Sequence, residues 1–339
     1  MRKILLRLIA VTVLFAVSSG VLSSCKKEAE PERKSKVYYE YFDTVTTIYD
    51  FSGGSSATFN ANADAFREEL AICHRLFDIY NSYEGVVNLK TINDNAGRGP
   101  VSADARIIEL LTFSKEMHQK TDGLVNVAMG AVLKIWHGYR TEGVRVPTEE
   151  ELRAAAEHCN IDDLIIDSAK GTVELRDPEM SLDVGAVAKG FAIDRAAELL
   201  RARGAVSYAI DVGGNLYAIG TKADGSKFNT GVTNPDGGDY SAYIAVADGA
   251  VATSGDYERF YTVNGVRYHH IISPTSLKPE GYYRSVTVYS HSAAVSDALS
   301  TALFNAPSYE VARAIVARVG GVRQLVFVEK GGRVERLAF

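Results

Sequence analysis

The stretch SVTVYSHSAAVSDALSTALF, residues 285–304, sets a strand before a helix capped by Ser292, and on that helix Asp297 and Thr301 stand four residues apart on one face. A carboxylate and a hydroxyl so arranged can hold a hard cation through oxygen. Magnesium takes few protein ligands and completes its octahedron with water and phosphate oxygens, so one carboxylate, one hydroxyl and a backbone carbonyl form a sufficient set. The same spacing also suits a solvated helix edge, and the remaining motifs have to separate the two readings.

In SLDVGAVAKGFAID, residues 181–194, a strand-like run stops at Asp183 and a helix opens through Gly185, Ala186, Lys189 and Gly190. So little side chain beside a carboxylate and a lysine marks a place where backbone approaches something closely. DVGGN ends a strand on Gly213, Gly214 and Asn215, and VATSGDYERF is expected to turn through Thr253, Ser254 and Gly255. Such turns offer backbone N–H groups to a phosphate or a polar ring edge, although each alone also fits an ordinary turn. No GxxxxGK[ST] and no strand-linked GxGxxG occurs, which speaks against a P-loop or a Rossmann site. In RYHHIISP one of His269 and His270 should face inward on a strand and the other outward, and either alone also fits a core histidine.

The elements that must position these residues come in mixed order. Residues 37–51 alternate like a strand, and residues 58–80 carry Phe66, Leu70, Cys73, Leu76 and Phe77 at helical spacing. A helix is expected from Ser102 as N-cap to Gly123, and another from Thr148 with a capping box to Glu151. Strands are expected over 208–212, 216–220, 243–247 and 286–290, and Asn264-Gly265 predicts a tight hairpin. Without a regular βαβ alternation, α+β is favoured over a doubly wound parallel sheet.

The chain has 339 residues, 46% of them hydrophobic, enough for a sizeable core. Arg2, Lys3 and Arg7 precede an apolar run that is too short for a membrane span and reads as a secretory signal. Its end, Leu22-Ser23-Ser24-Cys25, resembles the bacterial lipobox, in which the cysteine is diacylated and becomes the mature N-terminus. Residues 1–24 are thus expected to be a lipoprotein signal peptide, 25–36 a polar lipid-anchored tether, and 37–339 the folded domain. Removing residues 1–24 takes away three basic and no acidic residues, moving the formal charge from −5 to −8 (34 − 42), and nothing in it points to nucleic acid. Cys73 and Cys159 read as small buried residues and not as a disulfide or metal pair.

Together SLDVGAVAKGFAID, DVGGN, VATSGDY, HHIISPTS and SVTVYSHSAAVSDALSTALF occur in the order and spacing of the ApbE family, the FAD:protein FMN transferases. The resemblance runs from about Tyr41 to Phe339, and YFDTVTTIYDF, LFDIYNSYEGVVNLKTIN and TDGLVNVAMGAVLKIWHGY resemble the family's N-terminal motifs. It implies a single large α+β domain, related to the T-fold, with mixed helices and a mostly antiparallel sheet. It also implies that the carbonyl of Ala186 joins Asp297 and Thr301 at a magnesium ion, that Asp183, Lys189 and Asp194 organise the FAD site, and that Tyr80 stacks on the isoalloxazine. His270 matches a histidine near the reacting phosphate, with a catalytic or positioning role, and catalytic parts are expected of Lys189 and Asp183 as well. The implied reaction moves FMN from FAD to a Thr or Ser hydroxyl of an acceptor, a subunit of an extracytoplasmic redox complex, and releases AMP. A lipid anchor on Cys25 would hold the enzyme on the extracytoplasmic face of a bacterial membrane, at the cytoplasmic membrane or facing the periplasm. Splitting of FAD by water, and a flavin-holding lipoprotein with little turnover, are the alternatives. The family usually reads HIIDP where this chain has His270-Ile271-Ile272-Ser273-Pro274, which removes a carboxylate and replaces it with a hydroxyl.

Overall fold

The computed structural model describes residues 33–339, so the expected signal peptide, Cys25 and most of the tether lie outside the described residues. β1 (Lys34–Tyr41) starts ahead of the expected Val37, and β2 (Thr44–Asp50) follows where one continuous strand was expected. The break falls at Phe42 and Asp43, both at positive φ (54° and 51°). Non-glycine residues hold that conformation only where their surroundings enforce it. His74 supplies the enforcement, since its Nδ1 accepts the Phe42 N–H at 3.2 Å and its ring packs edge-on against Phe42.

His74 belongs to α1 (Ser56–Phe77), whose buried stripe of Phe59, Phe66, Leu70, Cys73 and Phe77 has the expected helical period. After α2 (Leu89–Asp94), Ser102 lies in the short β3 (Val101–Ser102), paired with Thr172, and does not cap a helix. Asp104 caps α3 (Ala105–Lys120) instead, accepting the Arg106 N–H at 2.8 Å. α4 (Gly130–Glu142) leads to α5 (Glu149–Ala156), where the Thr148–Glu151 capping box is present as expected. β4 (Leu164–Asp167) and β5 (Thr172–Leu175) join β3 in a small sheet of order β3-β5-β4. Among the described residues no strand runs up to Asp183 where one was expected; Ser181 makes only an isolated bridge to Met129.

α6 (Ala188–Ala202) leads into β6 (Ser207–Val212), β7 (Asn215–Gly220), β8 (Phe228–Val232), β9 (Ala242–Val246) and β10 (Gly249–Gly255). Thr253, Ser254 and Gly255 therefore end a strand and do not form the expected turn. The ladder to β13 (Tyr283–Ser290) runs through all three, as Thr253 faces Thr287 and Gly255 faces Ser285. β11 (Phe260–Val263) and β12 (Val266–His269) are the hairpin that Asn264-Gly265 predicts. α7 (Ala293–Phe304), α8 (Tyr309–Val319), β14 (Val322–Glu329) and β15 (Val334–Ala338) complete the chain.

Eight strands form one wholly antiparallel sheet, β1-β2-β6-β7-β10-β13-β14-β15. Its two faces are read off alternate residues. Ile48, Ile210, Val288 and Phe327 pack with α1, α3, α6, α7 and α8 in the main core. Their neighbours Ala209, Tyr289 and Val326 turn to the opposite face, which the β8–β9 pair covers with Phe228, Val232 and Ile244. A third cluster joins Trp136 of α4 to Tyr261 of β11 and to Ile272. The architecture is α+β, as expected. Cys73 and Cys159 are free, the first buried and the second half-buried.

Candidate active site

The β1–β2 turn, the β6–β7 turn and the C-terminal end of β10 all lie at one end of the main sheet. Against them sit the first turn of α6 and the middle of α7. Between these parts opens a cleft of about 1460 Å³. The sequence-expected Tyr80, Asp183, Ala186, Lys189, Gly213, Gly214, Asn215, Thr253, Ser254, Gly255, His270, Asp297 and Thr301 all line it. A hairpin turn with two residues at positive φ requires glycine-like freedom, and Gly213 (58°) and Gly214 (86°) supply it. The tightness of that turn brings Asn215 back into the cleft.

Asp297 is 5% exposed, so its carboxylate needs partners. Its Oδ2 accepts the Gly190 N–H at 2.9 Å, its Oδ1 accepts Asn215 Nδ2 at 2.8 Å, and Lys189 Nζ stands 3.7 Å from Oδ1. α6 has no side-chain cap of its own at Val187, so Asp297 reaches across from α7 to one of its free N–H groups. This contact requires the two helices to touch. A Cβ at position 190 would lie 2.3 Å from the Ala293 carbonyl oxygen and 2.7 Å from Asp297 Cβ, so only glycine fits. One turn on, Thr301 Oγ1 is 3.2 Å from Ser254 Oγ, which also bonds Ser300 Oγ at 2.9 Å. The Asp297 carboxylate and the Thr301 and Ser254 hydroxyls thus lie close together as hard oxygen donors, in a cleft that Ala186 also lines.

Asp194 behaves differently from expectation. It does not line the cleft; its carboxylate accepts Ser292 Oγ at 2.6 Å and the Ala293 and Ala294 N–H groups at 2.7 and 2.9 Å. It caps α7 from α6, and burial raises its pKa against those three bonds. Its place is therefore to position Asp297 and Thr301, because their helix starts on it. Asp183 does face the cleft, accepting the Gly185 N–H at 2.9 Å, and burial raises its pKa as well.

Tyr80 is 61% exposed and free to present its ring. Burial of its hydroxyl end raises its pKa, with Asp183 adding to the rise and Arg140 and Arg259 opposing it. The same two arginines face His270, whose pKa burial lowers to about 4. His270 Nδ1 meets the Arg259 carbonyl at 3.2 Å. A carbonyl only accepts, so Nδ1 carries the proton and Nε2 keeps a lone pair. His269 turns inward, its Nε2 2.7 Å from the Glu280 carbonyl, so the pair divides as the alternation predicts.

Sequence reasoning missed Arg140, Arg259, His137 and Asp211 in the cleft. Arg259, His137 and Asp211 fall inside quoted motifs, DYERF, WHGY and DVGGN, yet nothing in their spacing marks them. Ser273 is buried beside the cleft without lining it, and its Oγ accepts the Thr275 and Ser276 N–H groups at 3.3 and 3.4 Å. An aspartate side chain can accept the same two N–H groups, so the turn tolerates either residue at this position.

The ApbE family matches residues 43–326 of the chain. An FAD:protein FMN transferase of Treponema pallidum is 35% identical over 260 residues, covering 71% of this chain and 71% of that protein. One from Klebsiella pneumoniae is 30% identical over 250 residues, 70% of this chain and 77% of that protein. Among solved structures, the ApbE protein of Thermotoga maritima aligns with a TM-score of 0.80 at 30% identity over 90% of this chain and 97% of that one. The flavin transferase ApbE of Vibrio cholerae aligns at 0.74 and 25% identity, covering 91% and 97%. Since the match spans most of the described residues, and the motifs that carry it meet in one cleft, this chain belongs to the ApbE family.

Proposed function

We propose that the chain is an FAD:protein FMN transferase, a reading carried by the convergence of Asp297, Thr301, Lys189 and His270 on one cleft and supported by the names of its relatives. The acceptor hydroxyl oxygen forms a bond to the FMN-side phosphorus of FAD. The bond from that phosphorus to the AMP oxygen breaks, and AMP leaves with the electron pair. His270 takes the hydroxyl proton at Nε2. Its ring is neutral near pH 7, and an anionic diphosphate beside it favours the protonated form, so substrate raises its basicity as the proton arrives. Lys189, Arg140 and Arg259 bring positive charge to the diphosphate.

Asp297, Thr301 and the Ala186 carbonyl would hold magnesium. Their hard oxygens fit that ion, and among the described residues no group of three His, Cys, Asp or Glu side chains gathers as a self-sufficient metal cage. So sparse a set leaves the remaining positions to substrate oxygens and water. Magnesium, when bound, neutralises charge on the diphosphate and on the attacking and leaving oxygens.

The acceptor is a Thr or Ser of an extracytoplasmic redox subunit, and Cys25 anchors the enzyme by lipid to that side of a bacterial membrane. The apolar leader and its LSSC ending support the anchor and the extracytoplasmic side, while a protein acceptor is supported by the names of the relatives, and its hydroxyl and redox setting are what the family resemblance implies. The test mixes the enzyme with FAD, magnesium and such a subunit, and follows AMP together with flavin fluorescence that stays on the denatured polypeptide. AMP without bound flavin would mean hydrolysis by water, and neither product would mean a flavin-holding protein.

A further inference from the structure

We infer that the open edge of β8 seats the acceptor polypeptide, which adds to it as a strand and so carries its hydroxyl residue into the cleft; the inference rests on the transferase reading. Among the described residues β8 pairs only with β9, in a two-stranded sheet. Its other edge therefore presents unpaired N–H and C=O groups over five residues, a run of roughly 17 Å.

Sheet edges are ordinarily guarded, and this one is not. Phe228–Val232, FNTGV, contains no charge and no proline, and its ladder to β9 runs without a register shift. The outer strands of the main sheet differ. β1 carries Lys34 and Lys36 and a register shift after Tyr38, and β15 carries Glu335 and Arg336. Edge-to-edge pairing is thus opposed at both ends of the large sheet and left open on β8.

β9 carries no charge and no proline either, but none of its residues lines the cleft, so β8 is the open edge beside the chemistry. Thr230, Gly231 and Thr233 line the same cleft as Asp297 and His270. A strand interior glycine marks close approach, and here the Tyr240 ring lies over Gly231, where a Cβ would sit 2.4 Å from a ring carbon. Tyr243 faces Gly231 across the ladder and meets Tyr240 edge-on at 5.4 Å, and both rings remain more than half exposed. Exposed aromatic rings beside an open strand edge give an added strand both main-chain bonds and side-chain anchors.

The loop joining β8 to β9 is fixed in advance. Arg284 Nε bonds Asp256 at 2.8 Å, its Nη1 bonds Asp236, and its Nη2 reaches the Pro235 carbonyl at 3.3 Å. Holding the loop before the acceptor arrives lowers the ordering cost of strand addition. Main-chain pairing also tolerates varied acceptor side chains, provided the hydroxyl residue is in register.

The test is amide hydrogen exchange on the full chain, without FAD so that no turnover occurs, with and without an extracytoplasmic polypeptide that the complete reaction flavinylates. Saturating polypeptide should slow exchange of the outward N–H groups of residues 228–232 by about tenfold or more. Unchanged exchange in β8, with slowing elsewhere or nowhere, overturns the inference. Protection that grows with enzyme concentration alone also overturns it, since the edge would then seat a second copy. Failure to flavinylate any polypeptide, with AMP still released, refutes the transferase reading itself and is seen before any exchange is measured.

Discussion

Gly190→Ala should destabilise the protein, although glycine to alanine inside a helix ordinarily stabilises by about 1 kcal/mol. The new Cβ would lie 2.3 Å from the Ala293 carbonyl oxygen and 2.7 Å from Asp297 Cβ. Against an ordinary carbon separation of about 3.5 Å, the second contact alone is short by roughly 1 Å, and α6 and α7 must part by about that much. Overpacking of this kind costs about 1–3 kcal/mol. Parting also stretches the Gly190 N–H to Asp297 bond, a charge-assisted contact of about 1.5–3 kcal/mol. Less the helix gain, the net loss is about 1.5–5 kcal/mol, a fall in Tm of roughly 2–8 °C for a domain of this size. Because Asp297 moves with α7, magnesium affinity, read by calorimetry without FAD, should weaken by about tenfold or more, the effect of losing roughly 1.4 kcal/mol. A variant as stable as the parent, or more so, with unchanged magnesium binding would refute the claim that close helix contact sets the carboxylate.

The remaining expectations concern His270, Ser273 and Cys25. The folded pKa of His270, about 4, lies below its ordinary 6.5, so the fold favours the neutral ring. Its contribution to stability is complete above pH 6.5 and is lost as pH falls toward 4; His270→Gln should flatten Tm against pH in that window, and an unchanged slope would contradict the burial argument. Ser273→Asp should leave single-turnover flavin transfer within about twofold of the parent, because either side chain caps the 273–276 turn outside the cleft; a large gain would restore a catalytic part to the family carboxylate. Cys25→Ser should move the protein from the membrane fraction to the soluble one, and unchanged membrane retention would remove the lipid anchor from the account.

Local chemistry was readable wherever it was complete within a few residues. Ser292, the Thr148–Glu151 box and the Asn264-Gly265 hairpin each carry their own partners, and all three are present. What failed depended on distant chain. Thr253-Ser254-Gly255 has turn-like composition, yet pairing with β13 makes it a strand. The Phe42-Asp43 turn lacks glycine and asparagine and exists because His74, 32 residues on, accepts its N–H. Ser102 has cap chemistry but is claimed by Thr172. The cleft was legible through its motifs, whereas their geometry was not: Asn215 meets Asp297 across 82 residues, and Asp194 meets the start of α7 across 98. A motif reading therefore assigned Asp194 to the flavin, and only the helix contact shows that it holds α7.

The central claim is that one FMN passes to a polypeptide hydroxyl for each FAD cleaved. Mass spectrometry of the acceptor and quantification of AMP in the same reaction test it together. The account predicts a mass gain equal to FMN less one water on a single Thr or Ser, one AMP for each modified acceptor, and loss of both products in Asp297→Asn. AMP formed with free FMN and an unmodified acceptor, or full labelling by Asp297→Asn, would contradict it.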